Sequence, residues 1–566
     1  MKKNLVPTSQ QEMDAALQRL KSTAAEFAGL SLDERIVLAE SMKAGYVKIA
    51  EESVNIACKA KGIPSDAPVA SEEWGSGPWG IVRQLRLTCE SLRSLKKTGN
   101  TPIKKISRNI KNNLSVRVFP GNAIDAMLFK NVTADLHLLP STTEKTLEKT
   151  RASFYKNKKH NGKVALVLGA GNVAGIGVMD VITKMFNEGK VCALKMNPVN
   201  SYLGPFIEMA IKDAITKNYL TIFYGESEVG KYLVYHPMVD EIHLTGSEKT
   251  FNQIVWGTSE IEVSKLKEKK LKIDITSELG NISPVIIIPG PYSKKEIAYQ
   301  AEMIATAMTM NGSFLCNAAK LLVMPKGWSG RESFLTAIQK ACSAAPLRLA
   351  YYPGALDRWK YFTKNRKNIL NIGKGDSNHL PWSFITNLDP EDSNEPLFKE
   401  ETFCSVFAEV QIGSSDTKEF LKKATEFVNS RVWGTLNITL LVHPKILKDP
   451  NINSAFEHAI SDLKYGTVAV NTYPGLSFSM ASSAWGAYPG SSFDNIQSGS
   501  GFVHNTSMIE DIEKTVLRAP LVSSPKAAFL PSHKNGHVVM KKMIAMEEHL
   551  NGWKVPGIIW SAITGG

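Results

Sequence analysis

The chain has 566 residues, 43% of them hydrophobic and 21% charged, which is the composition of a globular protein rather than of a disordered or fibrous one. Because single hydrophobic cores stop growing near ~250–300 residues, we expect more than one structural unit. Basic residues exceed acidic ones by 67 − 54 = 13. Since helix-turn-helix, zinc-finger and RNP signatures are lacking, we interpret this charge as a solvated, lysine-rich surface and expect no nucleic-acid partner.

The six cysteines show no C-x-x-C spacing, which argues against a disulfide framework or a zinc site and for a reducing compartment. The segment MKKNLVPTSQ lacks the apolar core of a signal peptide. The longest apolar stretch, residues 164–182, is interrupted by Asn172, Asp180 and several glycines, so a buried strand and helix are expected there rather than a membrane span. We therefore expect a cytoplasmic protein without a metal site.

Helical signals dominate residues 8–60. Ser31 is followed three positions later by Glu34, which is the pattern of a capping box and predicts a helix over Leu32–Glu52. Residues 100–161 are rich in lysine, and one short strand is predicted there at Leu114–Phe119.

From Lys163 onward the pattern changes to alternating strands and helices. The predicted strands KVALVL, VCALKM and LTIFYG are separated by predicted helices at VMDVITKMF and SYLGPFIEMAIKDAI. A second series of the same kind runs from Ser283 to Gly475. Such alternation predicts an α/β protein with a parallel sheet that helices cover on both faces.

The first of these strands ends in a glycine turn, VALVLGAGNVAG, that allows two interpretations. Gly169, Gly171 and Ala174 have the G-x-G-x-x-A spacing with which a Rossmann turn brings backbone N–H groups to a pyrophosphate. However, the second strand ends in Lys195 and not in the acidic residue that such a site needs for the ribose. A tight strand-to-helix turn explains the glycines equally well.

The same region resembles the aldehyde dehydrogenase family, in which a strand leading to an essential Asn is followed by a strand ending in Lys. Asn172 and Lys195 have the family's spacing, 195 − 172 = 23. The segment YGESEVGKYLVYHPMVDEIHLTGSEKT is similar to the family's path from a glycine loop through His-Pro to a T-G-S turn. The resemblance implies that Lys195 binds the adenosine ribose, and that Gly225, Gly246 and Ser247 belong to the cofactor site.

The choice of cofactor stays open at this point. NAD-specific members of the family carry Glu three residues after the Lys, where this chain has Pro198. The resemblance therefore implies NAD or NADP as cofactor.

Oxidation of an aldehyde to an acid requires a nucleophile, donors for the oxyanion, a hydride acceptor and a base that activates water. A thiolate suits the first role. Three motifs similar to the family's supply further residues: SELGNISP with Glu278, NGSFLCNAAKLLV with Cys316, and KEETFCSVFAEV with Glu401 and Phe403. The resemblance implies Cys316 as nucleophile, Asn172 as oxyanion donor and Glu278 as base. It also implies that Glu401 and Phe403 belong to the cofactor site, with Glu401 binding the nicotinamide ribose.

The chain departs from the family's motifs beside these residues, so weak or altered activity is one expectation. The replaced positions line the nicotinamide and substrate sites: Ala170-Gly171 for Pro-Trp, Asn281 for the second Gly of E-L-G-G, Ser313-Phe314 for Gly-Gln, Cys404-Ser405 for Gly-Pro, and residues 484–487 for P-F-G-G.

The resemblance implies a Rossmann-type cofactor domain, an α/β catalytic domain and a small β bridging element. Their expected boundaries are 1–113 with 162–278, 279–483, and 114–161 with 484–521, respectively. In the last of these, EKTVLRAPL resembles the strand that crosses to a partner subunit, so a homodimer or homotetramer is expected. Residues 522–566 form an apolar extension, which we expect to pack on its own subunit or a partner rather than on a membrane surface.

Phe314, Phe403 and Trp485 favour a hydrophobic aldehyde as substrate. Two alternatives stay open. The first is a CoA-acylating reductase, because the GAGNVAG turn vaguely resembles a turn in such enzymes. A reductase of this kind resolves its acyl-enzyme with a thiol and does not need a water-activating Glu. A non-enzymatic scaffold on the same fold is expected to lose the Cys, Asn or Glu. Retention of Cys316 and Glu278 favours the hydrolytic dehydrogenase over both alternatives.

Overall fold

The computed structural model describes residues 5–157, 159–259 and 268–566. The start of the segment MKKNLVPTSQ and residues 260–267 of the predicted cofactor domain therefore lie outside the described residues. Over the described ranges, no helix is both long and apolar enough to cross a bilayer.

The strands of the described chain are short, and many of them are buried runs of apolar residues. In chain order they are β1 (Lys105–Arg108), β2 (Leu114–Phe119), β3 (Thr133–Leu138), β4 (Val164–Leu168), β5 (Val191–Lys195), β6 (Leu220–Phe223), β7 (Glu241–Thr245), β8 (Asp274–Glu278), β9 (Val285–Ile287), β10 (Leu321–Pro325), β11 (Ile369–Ile372), β12 (Trp382–Leu388), β13 (Val406–Ile412), β14 (Asn437–Leu441), β15 (Thr467–Val470), β16 (Ala484–Gly486), β17 (Gly499–Ser500), β18 (Phe502–His504) and β19 (Ile512–Arg518).

The helices are longest at the amino terminus. In chain order they are α1 (Gln10–Gly29), α2 (Leu32–Ala60), α3 (Ser71–Trp74), α4 (Gly80–Thr98), α5 (Ala123–Leu128), α6 (Glu144–Thr150), α7 (Ser153–Lys156), α8 (Ile176–Ile182), α9 (Gly204–Ala210), α10 (Lys212–Thr216), α11 (Ser227–Val234), α12 (Glu248–Val255), α13 (Lys294–Thr309), α14 (Arg331–Ala344), α15 (Ala355–Thr363), α16 (Pro396–Lys399), α17 (Thr417–Ser430), α18 (Pro450–Asp462), α19 (Gly475–Met480), α20 (Gly536–Glu548) and α21 (Val555–Gly565).

Capping chemistry starts the second helix where the sequence predicts it. The Ser31 side chain accepts a hydrogen bond from the backbone N–H of Glu34, and the Glu34 side chain accepts one from the backbone N–H of Ser31. The two bonds satisfy amide groups that otherwise lack partners in the first turn. The helix runs further than predicted, to Ala60, because its inner face stays buried along that length.

The predicted alternation of strands and helices folds into a six-stranded sheet, in the order β17-β8-β7-β4-β5-β6. All pairs are parallel except β17 with β8. One continuous core joins this sheet to α1, α2 and α4. The α/β fold expected from the sequence is confirmed, with two details changed. α8 ends at Ile182 and continues as a π-helical turn over Thr183–Asn187, and the helix predicted at SYLGPFIEMAIKDAI is divided into a 3-10 turn, α9 and α10.

A second, eleven-stranded sheet has the order β1-β2-β3-β19-β15-β14-β9-β10-β13-β12-β11. The predicted strand at Leu114–Phe119 is β2, whose antiparallel partners are β1 and β3. The predicted boundaries assign β1 to the cofactor domain, whereas in the structure β1 is an edge strand of this larger sheet. The domain boundaries themselves stay a prediction.

The strand expected to cross to a partner subunit lies within its own chain in this structure. β19 pairs with β15 in parallel and with β3 in antiparallel register. Both hydrogen-bonding edges of the strand are therefore occupied by the same chain, and the expected homo-oligomer stays a prediction.

Candidate active site

Glu278 is the last residue of β8 and pairs with Thr245 of β7. Its backbone carbonyl accepts a hydrogen bond from the N–H of Gly246, 3.0 Å away, which ties the T-G-S turn to the end of the strand. The carboxyl ends of parallel strands meet at one edge of a sheet, and that edge is where α/β proteins build their sites. The Glu278 side chain is buried there.

Cys316 lies in the loop between α13 and β10. Three consecutive residues ahead of it, Asn311, Gly312 and Ser313, have φ values of 54°, 66° and 70°. Side chains rarely adopt this left-handed region, so such a run marks a tightly constrained turn. The Ser283 hydroxyl donates to the Cys316 carbonyl at 3.0 Å and holds the loop from the other side.

The two residues meet directly: the Cys316 Sγ–H donates to Glu278 Oε1 at 3.1 Å. The other five cysteines are buried, as is usual for structural cysteines, whereas Cys316 is partly accessible. The fold therefore pairs one accessible thiol with one buried carboxyl group.

Each group changes the proton affinity of the other. Burial raises the pKa of Glu278, and the Cys316 thiol and the Trp485 indole oppose part of that rise. Burial, and then the neighbouring Glu278 carboxylate, raise the pKa of the Cys316 thiol well above its ordinary value. Both pKa values are thus raised, and the greater basicity of the Glu278 carboxylate suits proton transfer from sulfur to oxygen.

Asn172 contacts the loop that carries the cysteine. Its Nδ2 donates to the carbonyl oxygen of Phe314 at 2.9 Å. The turn VALVLGAGNVAG therefore faces the loop that carries Cys316. A Cβ added at Gly171 would come within 2.5 Å of Asn197 Oδ1, so packing against the loop after β5 accounts for that glycine.

A buried polar network holds the backbone of Asn172, and of its donors only Asn311 lies in one of the sequence motifs. The carbonyl oxygen of Asn172 accepts hydrogen bonds from Lys61 Nζ at 3.1 Å, Asn311 Nδ2 at 2.9 Å and the Tyr351 hydroxyl at 3.1 Å. Lys61 also forms a buried ion pair with Glu73 at 2.7 Å. No motif connects residues so distant along the chain, and only the fold brings them together.

Lys320 forms hydrogen bonds that hold the loop carrying Cys316 from its other side. Its buried ammonium group donates to the carbonyl of Ser313 at 3.0 Å, to that of Cys404 at 2.9 Å and to the Ser313 hydroxyl. Burial lowers the pKa of Lys320 to about 8. A lysine inside the apolar run NAAKLLV was a sequence signal for such a role, because buried lysines are rare unless they have partners.

Glu401 lies against the turn that follows Glu278. Its Oε1 accepts a hydrogen bond from the backbone N–H of Asn281 at 3.3 Å, and a Cβ added at Gly280 would approach its Oε2 to 2.3 Å. Burial raises the pKa of Glu401 to about 7, although the Asn281 N–H, Lys320 and Arg358 lower it. This carboxyl group therefore titrates near neutrality.

Phe403 belongs to an aromatic cluster beside the loop that carries Cys316. Its ring centroid lies 4.9 Å from that of Tyr352 and 5.9 Å from that of Phe314, and Phe314 also contacts Tyr351 at 5.2 Å. The sequence prediction named the two phenylalanines but missed the two tyrosines. Trp485 is fully buried near Glu278 rather than on a surface path.

The remaining predicted cofactor residues lie at the carboxyl edge of the six-stranded sheet. Lys195 ends β5, Gly225 follows β6, and Gly246 and Ser247 join β7 to α12. Ser247 caps that helix by accepting from Thr250 N–H at 3.2 Å. The sheet order places β7, β4, β5 and β6 side by side, so these positions share one edge.

The surroundings of Lys195 show whether this edge of the sheet can bind a dinucleotide. The side chain is 8% exposed, and burial lowers its pKa to about 8. Among the described residues its ammonium group has no hydrogen-bond or ion-pair contact, although the charge of Glu226 acts on it, and the nearby Gly230 presents no side chain towards it. An unpartnered, nearly buried cation needs an acceptor, and ribose hydroxyls or phosphates supply one, so the residues present fit the cofactor.

No protein-family model matches the sequence, and a search of curated proteins finds no match either. Solved structures do match. The NADP-dependent glyceraldehyde-3-phosphate dehydrogenase from Bacillus halodurans, complexed with NADP, is 15% identical, with 90% of this chain and 92% of that chain covered and a TM-score of 0.59.

Two further structures show the same similarity. Substrate-bound AldH of Staphylococcus aureus is 15% identical, covers 89% of this chain and 93% of its own, and has a TM-score of 0.60. The aldehyde dehydrogenase KauB from Pseudomonas aeruginosa is 15% identical, covers 90% of this chain and 88% of its own, and has a TM-score of 0.59. The chain has the aldehyde dehydrogenase fold.

Proposed function

We propose that this protein oxidises an aldehyde to its carboxylic acid with NAD or NADP, through a thioester on Cys316. The observation that carries the proposal is the 3.1 Å hydrogen bond between the Cys316 thiol and Glu278 Oε1. A neutral thiol is a poor nucleophile, and this carboxylate is in place to remove its proton.

In the first step Cys316 Sγ forms a bond to the aldehyde carbon while its proton passes to Glu278 Oε1. The carbonyl oxygen becomes an oxyanion. We assign its stabilisation to the backbone N–H of Cys316 and to the second side-chain N–H of Asn172, since the first donates to the Phe314 carbonyl. Asn172 is suited to this role because the Lys61, Asn311 and Tyr351 hydrogen bonds hold its backbone in one position.

A bound nicotinamide would accept the hydride that the tetrahedral carbon releases as the thioester forms. We assign Lys195, Gly225, Gly246 and Ser247 to the adenosine and phosphate end of that cofactor. Glu401 and Phe403 are assigned to the nicotinamide end, because both lie on the Glu278 and Cys316 side of the site.

Glu278 acts a second time in the hydrolytic half of the reaction. After losing its first proton to solvent, it removes a proton from water as the water oxygen attacks the thioester carbon. The carbon–sulfur bond then breaks, the acid is released, and the proton on Glu278 returns to sulfur. The raised pKa of Glu278 favours both transfers, since a more basic carboxylate is a better proton acceptor.

We further propose an apolar aldehyde as the substrate. The partly exposed rings of Tyr351, Tyr352 and Phe403 cluster beside the loop that carries Cys316, and the buried ring of Phe314 packs against them. The homo-oligomer and the cytoplasmic location expected from the resemblance stay predictions.

The test is reduction of NAD and NADP by a panel of aliphatic and aromatic aldehydes, without CoA and then with it. We expect CoA-independent turnover that Cys316→Ala abolishes and that the matched control Cys342→Ala, at a buried cysteine in α14, retains. Turnover that requires CoA would assign the acylating reaction instead. Turnover insensitive to Cys316→Ala, or none with any aldehyde, would contradict the proposal.

A further inference from the structure

The carboxyl-terminal helix α21 presents an exposed apolar face. Trp553, just before the helix, is 91% exposed, and within it Trp560 and Ile563 are 67% and 58% exposed. The opposite face is buried against the protein through Val555 and Ile558, among other residues. From these observations and those that follow, we propose that this face, with Trp553, docks the protein on an anionic membrane surface.

The helix α21, with the sequence VPGIIWSAITG, is uncharged although one of its sides faces solvent. The other uncharged α-helix of the described chain, α19, is buried. Large apolar side chains are normally exposed singly, and clustered ones mark contact surfaces. The other eight tryptophans of the chain are buried or half-buried, so the exposure of Trp553 and Trp560 is confined to this segment.

The exposed face belongs to an ordered part of the protein and not to a frayed end. Lys542 Nζ donates to Ser561 Oγ at 2.7 Å and to the Gly557 carbonyl at 3.1 Å. His533 contacts the Ala562 carbonyl at 3.1 Å. The preceding helix α20 is fastened in turn, because its Glu547 is paired with two buried arginines of α4. The expected packing on its own subunit therefore holds for one side of α21, and no described residue of the chain covers the other side.

Charge selects a membrane over a second copy of the chain. The segment from residue 526 to the end contains five lysines and two glutamates, and one of the glutamates, Glu547, is buried and paired. Two of the lysines are paired with glutamates outside the segment, Lys526 with Glu302 and Lys541 with Glu51, each at 2.7 Å. The other three have no ion-pair partner among the described residues: Lys534 and Lys542 are exposed, and Lys554 is half-exposed. A two-fold contact through this face would bring the lysines of both copies together, whereas acidic lipid headgroups would neutralise them.

The residue types suit the interfacial region of a bilayer. Tryptophan prefers this region because its ring is apolar while its indole N–H remains solvated. A helix with one apolar face and flanking lysines lies in the plane of the membrane surface. This geometry requires no membrane-spanning helix.

Co-sedimentation of the full-length protein with vesicles tests the proposal. We expect binding to phosphatidylcholine vesicles that contain phosphatidylglycerol, with weaker binding to phosphatidylcholine alone and at high salt. The double variant Trp553→Ser, Trp560→Ser should lose at least about tenfold in partitioning. The control variant Val37→Ser, Tyr361→Ser alters residues that are also exposed, by 68% and 54%, and should bind like wild type.

Sedimentation velocity without lipid completes the experiment, and retained near-ultraviolet circular dichroism verifies that the variants are folded. Wild-type protein that stays in the supernatant with both kinds of vesicle would overturn the proposal. Equal binding of wild type and the tryptophan variant would do the same. An oligomer that the tryptophan substitutions dissociate would assign the face to a contact between copies of the chain instead.

Discussion

The Cys316 thiol and the Glu278 carboxylate form a 3.1 Å hydrogen bond between groups that are 38 residues apart in the sequence. A carboxylate at this distance does two opposing things. It disfavours the thiolate through its charge, and in the proposed reaction it is the base that removes the thiol proton. The pair is therefore set for proton transfer during the reaction rather than for a permanently ionised sulfur.

Replacing the carboxylate should change the acidity of the thiol. Burial and then Glu278 raise the pKa of Cys316, so Glu278→Gln removes the second cause and should lower that pKa. The pH midpoint of iodoacetamide alkylation should then move to lower pH by about one unit. Mass spectrometry locates the label, and Cys316→Ala serves as the blank. A midpoint that stays in place or rises would show that the carboxylate does not act on the thiol.

The position of Glu401 should depend on the glycine beneath it. In Gly280→Ala the new Cβ would approach Glu401 Oε2 to 2.3 Å, so the carboxyl group has to move. Because the clash is with the end of a flexible side chain, we expect little loss of stability but an increase of about tenfold in KM for the cofactor. Steady-state kinetics measure the effect, with Gly29→Ala as control, since nothing lies within 4 Å of a Cβ there. Equal KM values in the two variants would argue against the assigned role of Glu401.

The carboxyl-terminal extension should contribute strongly to the stability of the fold. Glu547 accepts from Arg83 at 2.6 Å and from Arg86 at 2.5 Å, and all three side chains are buried. Glu547→Leu removes the carboxylate that neutralises two buried guanidinium groups, and we expect this to lower the free energy of unfolding by about 3–5 kcal/mol. The neighbouring Glu548→Leu, at a side chain that is 33% exposed, should cost less than about 1 kcal/mol. Urea unfolding measures both values, and similar losses in the two variants would contradict this interpretation.

Three buried histidines should make the protein less stable in mild acid. Burial lowers the pKa of His137, His243 and His504 to about 3 in each case. In the unfolded chain these groups titrate near ~6.5, so below that pH the unfolded state binds protons that the folded state excludes. The stabilisation that comes from keeping these histidines neutral is fully present above about pH 6.5 and is lost as the pH falls. Between about pH 7 and about pH 5 each histidine lowers the free energy of unfolding by about 2 kcal/mol.

His504→Asn tests this linkage, since Asn tolerates the left-handed backbone at that position, where φ is 66°. The loss of unfolding free energy between about pH 7 and about pH 5 should shrink by about 2 kcal/mol in this variant. The exposed His549→Asn should leave the pH dependence as it is in wild type. An unchanged slope in His504→Asn would mean that this ring titrates normally in the folded protein.

Local patterns in the sequence determined the elements of this protein. The Ser31 and Glu34 pair starts α2, the run Leu114–Phe119 is β2, and the apolar strands that alternate with helices build the parallel sheet. These features follow from hydrogen bonds and periodicities within a few residues, which a sequence displays directly. The motif resemblance also identified Cys316 and Glu278, although the contact between them became visible only in the structure.

The tertiary structure alone decided what surrounds those residues. Lys61 and Tyr351 contact the backbone of Asn172 from positions more than a hundred residues away, and β19 lies between two strands of its own chain. The two sides of α21, one buried and one exposed, were likewise decided by which surface α21 packs against. The physical reason is the same in each case. A buried polar group requires a hydrogen-bond partner, and an apolar face requires a surface to pack against. Which distant residues provide that partner or that surface depends on the packing of the whole chain.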